Sequence, residues 1–186
     1  MRWMSGLIAS GWLLAGFVAG SFAAEPVHIV LDDQAPALEK LAAQELQAMI
    51  AKLSTAEITI SSRPPAQGKT SVIFLGSPQT NRTIGRRLKG FWPKVSDQGI
   101  VIRSLGQKQA VIIGGGSPRA TLWAVYEFGY QQGIRYLLRE DIYPDPKPLK
   151  LSGLDYVNEP EFRTRSWRTI NDFAIGPESW SLAEHK

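Results

Sequence analysis

The sequence contains no cysteine and only two histidines, His28 and His185. The absence of cysteine excludes disulfides, thiol nucleophiles and cysteine-ligated metals. The two histidines lie far apart in the chain, and a zinc site would need both of them together with carboxylates. No Ser/His/Asp triad is indicated, because His28 falls in a predicted buried strand. We therefore expect no metal and no cofactor.

A large excess of charge of one sign is also missing, since the formal net charge is +4 over 186 residues. Basic residues are nevertheless concentrated between Gln79 and Asp97, where Phe91 and Trp92 lie among them. Such a stretch can contact nucleic acid through phosphate pairing and stacking. A solvated connecting loop or short helix is the preferred interpretation, because an exported protein meets few nucleic acids. We expect no nucleic-acid partner.

The long hydrophobic run at the N-terminus is too short for a typical membrane span. Arg2 precedes the apolar stretch Leu7 to Val18, and Ser21-Phe22-Ala23 supplies small residues for cleavage after Ala23. This arrangement is typical of a secretory signal peptide, here residues 1–23. An uncleaved membrane anchor is the alternative, although no stop-transfer pattern follows. The sequence predicts a secreted or periplasmic protein with no stable membrane span after cleavage.

From Val27 onward, short apolar runs alternate with two longer amphipathic stretches. Helices are predicted from Pro36 to Leu53 and after Ser117, because apolar residues recur there at helical spacing. In the first helix the predicted buried stripe is Leu38, Leu41, Ala42, Leu46, Met49, Ile50 and Leu53. The predicted strands are Val27 to Leu31, Ile58 to Ile60, Ser71 to Leu75, Gly99 to Arg103, Ala110 to Ile113 and Ile134 to Leu138. This order predicts an α+β or α/β two-layer sandwich, a mixed sheet of about five to six strands with two long helices on one face.

Three glycines, Gly114 to Gly116, separate the fifth strand from the second helix. Ser117 and Pro118 suit the N-cap and the first helical position, and Gly133 suits the residue after the last turn. Glycines before a helix can cradle a phosphate at its N-terminus. The spacing matches neither a P-loop nor the dinucleotide fingerprint. A structural turn is therefore the preferred interpretation, and a nucleotide-binding domain is a weaker alternative.

After Leu138 the composition changes, which places the α/β domain at residues 24–142 and a proline-rich linker at residues 143–160. Residues 162–170 alternate large and charged side chains like a strand. Residues 177–186 resemble the first turns of a helix, with Ser181 as a possible cap. The carboxylates near the end are Glu140, Asp141, Asp145, Glu159, Glu161, Asp172 and Glu178. Their spacing selects no pair of the kind that a glycoside hydrolase needs, so they are interpreted as surface or loop acids.

Three segments have the order and spacing of one known domain family. They are the helix LEKLAAQELQAMIAKLS, the strands SVIFLG and QGIVIRSLGQKQAVIIGGG, and the segment SPRATLWAVYEFGYQQGIRYL. Together they resemble the N-terminal accessory domain of secreted glycoside hydrolases of the beta-hexosaminidase (chitobiase) and alpha-glucuronidase type. The resemblance covers about Val27 to Leu138. In those enzymes a catalytic (β/α)8 barrel follows, which implies that residues 161–186 are the first strand and the start of the first helix of a truncated barrel.

By their position on that barrel strand, the resemblance implies that Arg168, Asn171 and Asp172 lie near a sugar. The alternative for these residues is a disordered tail, because a lone strand without its neighbours cannot satisfy its backbone. No catalytic residue is implied, since the acids that act in such enzymes belong to the rest of the barrel. A beta-hexosaminidase, an alpha-glucuronidase and an uncharacterised barrel all stay open as the parent.

The resulting expectation is a non-catalytic accessory domain of an exported glycoside hydrolase, whose full-length parent hydrolyses O-glycosidic bonds in carbohydrate metabolism. Its expected partners are a poly- or oligosaccharide, bound through the barrel, and the catalytic domain against which it packs. The alternative is a stand-alone periplasmic carbohydrate-binding or interaction module. For that alternative, Trp92, Trp123, Trp167 and Trp180 are the side chains that could stack on sugars. Trp123 lies within the second helix, where packing against protein is the preferred interpretation.

Overall fold

The computed structural model describes residues 25–66, 70–106, 109–137 and 140–166, and Ser181. The elements in chain order are β1 (Val27–Val30), α1 (Ala37–Leu53), β2 (Ile58–Ser61), β3 (Ser71–Leu75), a π-helical turn (Ile84–Leu88), a 3-10 turn (Lys89–Phe91), β4 (Ile100–Ser104), β5 (Ala110–Gly115), α2 (Pro118–Gln132), β6 (Arg135–Tyr136), β7 (Asp141–Ile142) and β8 (Asp155–Asn158). Within these described ranges, no helix is long and apolar enough to cross a membrane. The predicted signal peptide lies outside the described residues, as do residues 167–180 and 182–186 of the predicted barrel start.

Six strands form one mixed sheet in the order β2-β1-β3-β5-β4-β8. β1 pairs in parallel with β2 and β3, and β3 pairs in parallel with β5. β4 is antiparallel to β5 and to β8. Because β2, β1, β3 and β5 run in one direction, the loops that follow them meet at the same edge of the sheet. We call this edge the carboxyl edge.

Both long helices cover the same face of the sheet. Ile29, Ile73 and Ile113 point to this face, where they pack with Leu46 of α1 and Phe128 of α2. All five side chains are less than 2% exposed. Burial of a side chain of this size contributes about 1.5–3 kcal/mol to folding, so this layer forms the main core. The predicted sandwich, a mixed sheet with two long helices on one face, is confirmed.

The opposite face of the sheet is covered in part by the segment between β3 and β4. Ile84, in the π-helical turn, is fully buried and packs with Val30, Phe74 and Ile112 of the strands. Trp92 is partly buried against the same cluster. The stretch predicted to be a solvated loop or short helix therefore contains two short helical turns, and Ile84 is the residue of these turns that is fully buried on the sheet.

The first turn of α1 differs from the prediction. The buried side chains of α1 are Glu39, Ala42, Ala43, Leu46, Met49, Ile50 and Leu53. Leu38 and Leu41 were predicted to be buried, but each is 40% exposed. The prediction was wrong for these two residues because Glu39 takes the inward position, where threonine side chains of other elements bind its carboxyl group.

The two ends of α2 match the prediction. The Ser117 Oγ accepts a hydrogen bond from the backbone N–H of Ala120 at 3.2 Å, and Pro118 is the first helical residue. Gly133 ends the helix with a φ of 109°, a left-handed conformation that favours glycine. These caps fix where α2 begins and ends, and so fix which of its side chains face the sheet.

The chain after α2 departs from the prediction at two places. The strand expected from Ile134 to Leu138 is only the two-residue β6, which pairs with β7 outside the main sheet. The segment predicted to be a linker, residues 143–160, contains β8, which pairs with β4 at the edge of the sheet. Leu151 is fully buried in the main core and explains why this segment stays close to the sheet. The domain boundaries themselves stay predictions.

Candidate functional site

The outward side of the helix layer exposes a group of large apolar and aromatic side chains. They are Leu38, Leu41, Trp123, Tyr126 and Tyr130, each between 36% and 49% exposed. We call this surface the helical face. α1 and α2 lie side by side, and the hydroxyl of Tyr126 donates a hydrogen bond of 3.3 Å to Glu45 across them. A continuous patch of large exposed hydrophobic side chains is typical of a surface that binds another molecule.

Residues 159–165 follow β8 and lie against the helical face. The Nε2 of Gln98 donates to the carbonyl oxygen of Arg163 at 2.6 Å, and the guanidinium of Arg165 donates to the Oε1 of Gln98 at 2.8 Å. The same guanidinium lies 5.4 Å from the centre of the Trp123 ring, a cation–π contact. At the start of the segment, Glu159 accepts a hydrogen bond of 2.9 Å from the backbone N–H of Ser96. Hydrogen bonding by Ser96 lowers the pKa of Glu159.

A groove of about 510 Å³ lies between this segment and α2. The rings of Tyr126 and Tyr136 meet edge to face, with centres 5.4 Å apart, and the Tyr136 hydroxyl donates to the Tyr126 carbonyl oxygen at 3.0 Å. Burial raises the pKa of Tyr136, so its hydroxyl stays protonated and able to donate. Arg135 lies 4.2 Å from the centre of the Tyr130 ring, as Arg165 lies over Trp123. The two guanidinium groups thus cover part of the aromatic ring surface on which a sugar would stack.

The glycine turn before α2 is closed by backbone contacts. The N–H of Gly116 donates to the carbonyl oxygen of Gly99 at 3.0 Å, and a Cβ at Gly116 would overlap the carbonyl oxygen of Ser96. Likewise, a Cβ at Gly114 would overlap the carbonyl oxygen of Gly76. A phosphate cradle needs free N–H groups that point at the anion. Because a carbonyl oxygen occupies the position next to Gly116, the geometry agrees with a structural turn.

A buried carboxyl group lies at the carboxyl edge, between the first turns of the two helices. The Oε1 of Glu39 accepts hydrogen bonds from the hydroxyls of Thr80 at 2.8 Å and Thr121 at 3.2 Å. Its Oε2 is buried and has no hydrogen-bond partner among the described residues. Burial raises the pKa of Glu39, the two threonine hydroxyls oppose this, and the nearby charge of Asp32 adds to the rise. The sequence analysis missed this group, because glutamate in a first helical turn is usually solvated.

A second carboxylate at the same edge is ionised. Asp32 follows β1 and accepts hydrogen bonds from the Arg82 side chain at 2.8 Å and 3.0 Å, and from the backbone N–H of Arg82 at 3.1 Å. The guanidinium of Arg82 holds the pKa of Asp32 well below its usual range, although burial opposes this. This pair ties the end of β1 to the segment after β3. The spacing of 50 residues between the two side chains offered no local pattern from which to predict it.

The residues singled out from the sequence fall into two groups. Arg168, Asn171 and Asp172 lie outside the described residues, together with Trp167, Trp180 and His185, so their roles stay predictions. His28 is described: its Nε2 lies 2.7 Å from the Ser61 Oγ and 3.1 Å from the Arg63 carbonyl oxygen. Within the described part of the chain, no three His, Asp or Glu side chains are grouped so as to hold a metal ion.

The amino-acid sequence of this domain matches a known family of protein domains. Residues 18–128 match the family described as "Glycosyl hydrolase family 67 N-terminus". The chain belongs to this family. The match contains α1, the first five strands and most of α2, so four of the five residues of the helical face lie within it and Tyr130 lies two residues beyond it. The domain is therefore an accessory domain related to glycoside hydrolases.

Two solved structures are similar to this chain, and the first of them shares its fold. One is a family GH115 4-O-methyl-alpha-glucuronidase, BtGH115A, with specificity for decorated arabinogalactans; the likeness has a TM-score of 0.53 at 15% identity and covers 73% of this chain and 17% of that one. Another is CpGH84D, with a TM-score of 0.43 at 7% identity, covering 59% of this chain and 18% of that one. This chain therefore corresponds to less than a fifth of the length of each. A search of curated protein sequences found no match.

Proposed function

We propose that the chain is the exported, non-catalytic N-terminal accessory domain of an alpha-glucuronidase-type glycoside hydrolase. The parent enzyme would hydrolyse O-glycosidic bonds in a polysaccharide with a catalytic barrel that follows this domain. The observation that carries the proposal is the helical face in a domain of this family. Three of its five large exposed side chains, Trp123, Tyr126 and Tyr130, line a groove together with the segment that leads toward the C-terminus. A surface of this composition is suited to pack against a following domain.

The described carboxylates support a non-catalytic role. Glycoside hydrolysis needs two carboxyl groups that face one sugar bond, about 5–10 Å apart. Asp32 is held by Arg82, Glu39 is buried between threonines, and Glu159 binds a backbone N–H. Each of these three groups is held by hydrogen bonds within the domain, and none of them lines the groove beside the helical face. The acids that line this groove are Glu127 and Glu161. Glu127 accepts a hydrogen bond from Gln131 at 3.0 Å, and Glu161 lies on the exposed segment 159–165.

The substrate part of the proposal rests on the family and on one neighbour. The GH115 enzyme that shares the fold is a 4-O-methyl-alpha-glucuronidase. Its substrate therefore carries a uronic acid, a sugar with a carboxylate group. We extend this class of substrate to the parent enzyme of the chain, and Arg168, Asn171 and Asp172 stay the residues proposed to lie near the sugar.

One experiment tests export and the lack of activity together. The chain is produced with its own leader, collected from the exported fraction, and assayed on a panel of aryl glycosides that includes an aryl alpha-glucuronide. We expect an N-terminus at Ala24 and no turnover above the rate without protein, because the proposed catalytic carboxylates belong to the barrel that follows this domain. Retention of residues 1–23 would contradict export. Hydrolytic activity that co-purifies with the folded chain would contradict the non-catalytic role.

A further inference from the structure

A cleft lined by four arginines lies between the loop after β2 and the segment after β3. Its volume is about 440 Å³, and its charged lining residues are Arg63, Arg82, Arg86 and Arg87. Ser62 and Thr83 add hydroxyl groups, and none of the described carboxylates lines the cleft. We call it the arginine cleft. It includes part of the basic stretch that the sequence analysis had interpreted as a solvated loop.

Three of these arginines form no ion pair with an acid of the described residues. Arg82 is paired with Asp32 at 2.8 Å and lies 3.7 Å from Asp33. Among the described residues, none of the ion pairs involves Arg63, Arg86 or Arg87, and these side chains are exposed. Like charges held around one cleft repel each other, and a bound anion would relieve this repulsion. The guanidinium group is suited to bind carboxylate or phosphate through two parallel hydrogen bonds.

The position of the cleft in the fold is also suited to a ligand. Ser62 and Arg63 follow β2, and Arg82 follows β3, so the cleft lies at the carboxyl edge of parallel strands. Open α/β sheets commonly bind ligands outside the carboxyl ends of their strands. The π-helical turn that carries Arg86 and Arg87 packs through Ile84 on the sheet face opposite to the helices. A domain that covers the helical face would therefore leave the arginine cleft open.

We propose that the arginine cleft is a second, non-catalytic site that binds the carboxylate groups of an acidic polysaccharide. The choice of a carboxylate-bearing sugar rests on the proposed function, in which the parent enzyme acts on a uronic acid. The cleft would hold the charged polymer while the catalytic domain acts on it elsewhere. Nucleic acid is the competing polyanion, and it is disfavoured because four arginines in one small cleft offer few phosphate contacts.

Binding is tested with the 186-residue chain and polygalacturonate as the probe, in a titration followed by calorimetry at low salt. Fully methyl-esterified polygalacturonate has the same backbone without the charge, and double-stranded DNA is the third arm. We expect binding to polygalacturonate that weakens as salt is added, no binding to the esterified polymer, and weaker binding to DNA at equal ionic strength.

Two double variants locate the site. Arg86→Gln with Arg87→Gln removes two exposed guanidiniums of the cleft, and we expect about tenfold or greater loss of affinity, since hydrogen bonds between charged groups are individually strong. Lys40→Gln with Lys150→Gln removes the same charge from exposed positions outside the cleft and should leave the affinity nearly unchanged. Thermal unfolding confirms that each variant is folded.

The proposal is overturned if polygalacturonate does not bind, if the esterified polymer or DNA binds equally well, or if both double variants lose affinity equally. None of these outcomes changes the expected N-terminus at Ala24 or the lack of hydrolysis. Failure of the arginine cleft is therefore distinguishable from failure of the proposed accessory role.

Discussion

Glu39 links three elements through one carboxyl group that is removed from water. Its Oε1 binds hydroxyls of Thr80, in the loop after β3, and of Thr121, in the first turn of α2, while Glu39 itself lies in the first turn of α1. A buried carboxyl group favours its neutral form, because ionisation without full hydrogen bonding is costly in the interior. The Oε2, for which the described part of the chain offers no hydrogen-bond donor, makes the charged form less favourable still.

This burial gives a prediction for the effect of pH on stability. The pKa of Glu39 is raised in the folded chain, so folding favours the protonated form. Its stabilising contribution is fully present below the pKa of the unfolded chain and is lost as pH rises through the folded pKa. Glu39→Gln keeps an acceptor for the threonines and cannot ionise. We expect the free energy of unfolding of Glu39→Gln, relative to the unmodified chain, to rise between pH 4 and pH 8, measured by urea denaturation.

Two comparisons isolate the role of Glu39. Glu57→Gln removes one exposed carboxylate and is the control for the loss of a negative charge. Asp32 titrates in the opposite sense, because its pKa is lowered. Its contribution is present above the pKa of the unfolded chain and is lost progressively as pH falls from there through the lowered folded value. An equal pH dependence for Glu39→Gln and the unmodified chain would show that Glu39 does not bind a proton on folding.

At the scale of elements, the turn between β5 and α2 is a packing feature. Gly115 has no positive φ, so its conformation does not require glycine. The atoms around it do require glycine, because a Cβ at Gly115 would lie 2.5 Å from the carbonyl carbon of Ala120 and 2.9 Å from the carbonyl oxygen. The first turn of α2 thus lies directly on the end of β5, with the glycine allowing the close approach.

Gly115→Ala should therefore destabilise the chain by about 1–3 kcal/mol, the usual cost of inserting a methyl group into a packed region. Gly90→Ala is the matched control, since a Cβ at Gly90 meets nothing within 4 Å. Urea denaturation of both variants measures the difference. An anion cradle makes another prediction: phosphate would stabilise the unmodified chain and not Gly115→Ala. Equal stability of the two glycine variants would contradict the packing account.

The elements that were predictable from the sequence are those specified by local chemistry. The two ends of α2 could be predicted from Ser117, Pro118 and Gly133. Each of these residues favours a helix end through its own backbone conformation or through hydrogen bonds to nearby residues. The start of α1 was less predictable, since the inward turn of Glu39 depends on threonines 41 and 82 residues away. β8 was missed because three of its four residues are exposed, so its sequence has no apolar alternation.

The candidate surfaces were harder to predict than the fold. Leu38 and Leu41 were assigned to the core by their spacing, yet they join Trp123, Tyr126 and Tyr130 on the outside. Hydrophobic periodicity cannot separate a stripe that faces the sheet from one that faces another partner. The arginine cleft could not be predicted from the sequence for a different reason. Arg63 and Arg86 are far apart in the chain, and the fold of the sheet brings them together.

At the scale of the whole molecule, the domain has two candidate surfaces on opposite sides of one sheet. The helical face is apolar and lies next to the segment 159–165. The arginine cleft is charged and lies beside the π-helical turn. This separation is what an accessory domain requires if one side is to pack against a catalytic domain while the other stays exposed to solvent.

The most direct test of this account is hydroxyl-radical footprinting of the helical face, in the isolated chain and in the parent enzyme. Trp123, Tyr126 and Tyr130 are exposed in the chain and should be oxidised there. In the parent enzyme we expect them to be protected, while Phe91, which is exposed on the opposite side, is oxidised equally in both. Equal oxidation of Trp123, Tyr126 and Tyr130 in the two proteins would contradict the proposed packing against a catalytic domain.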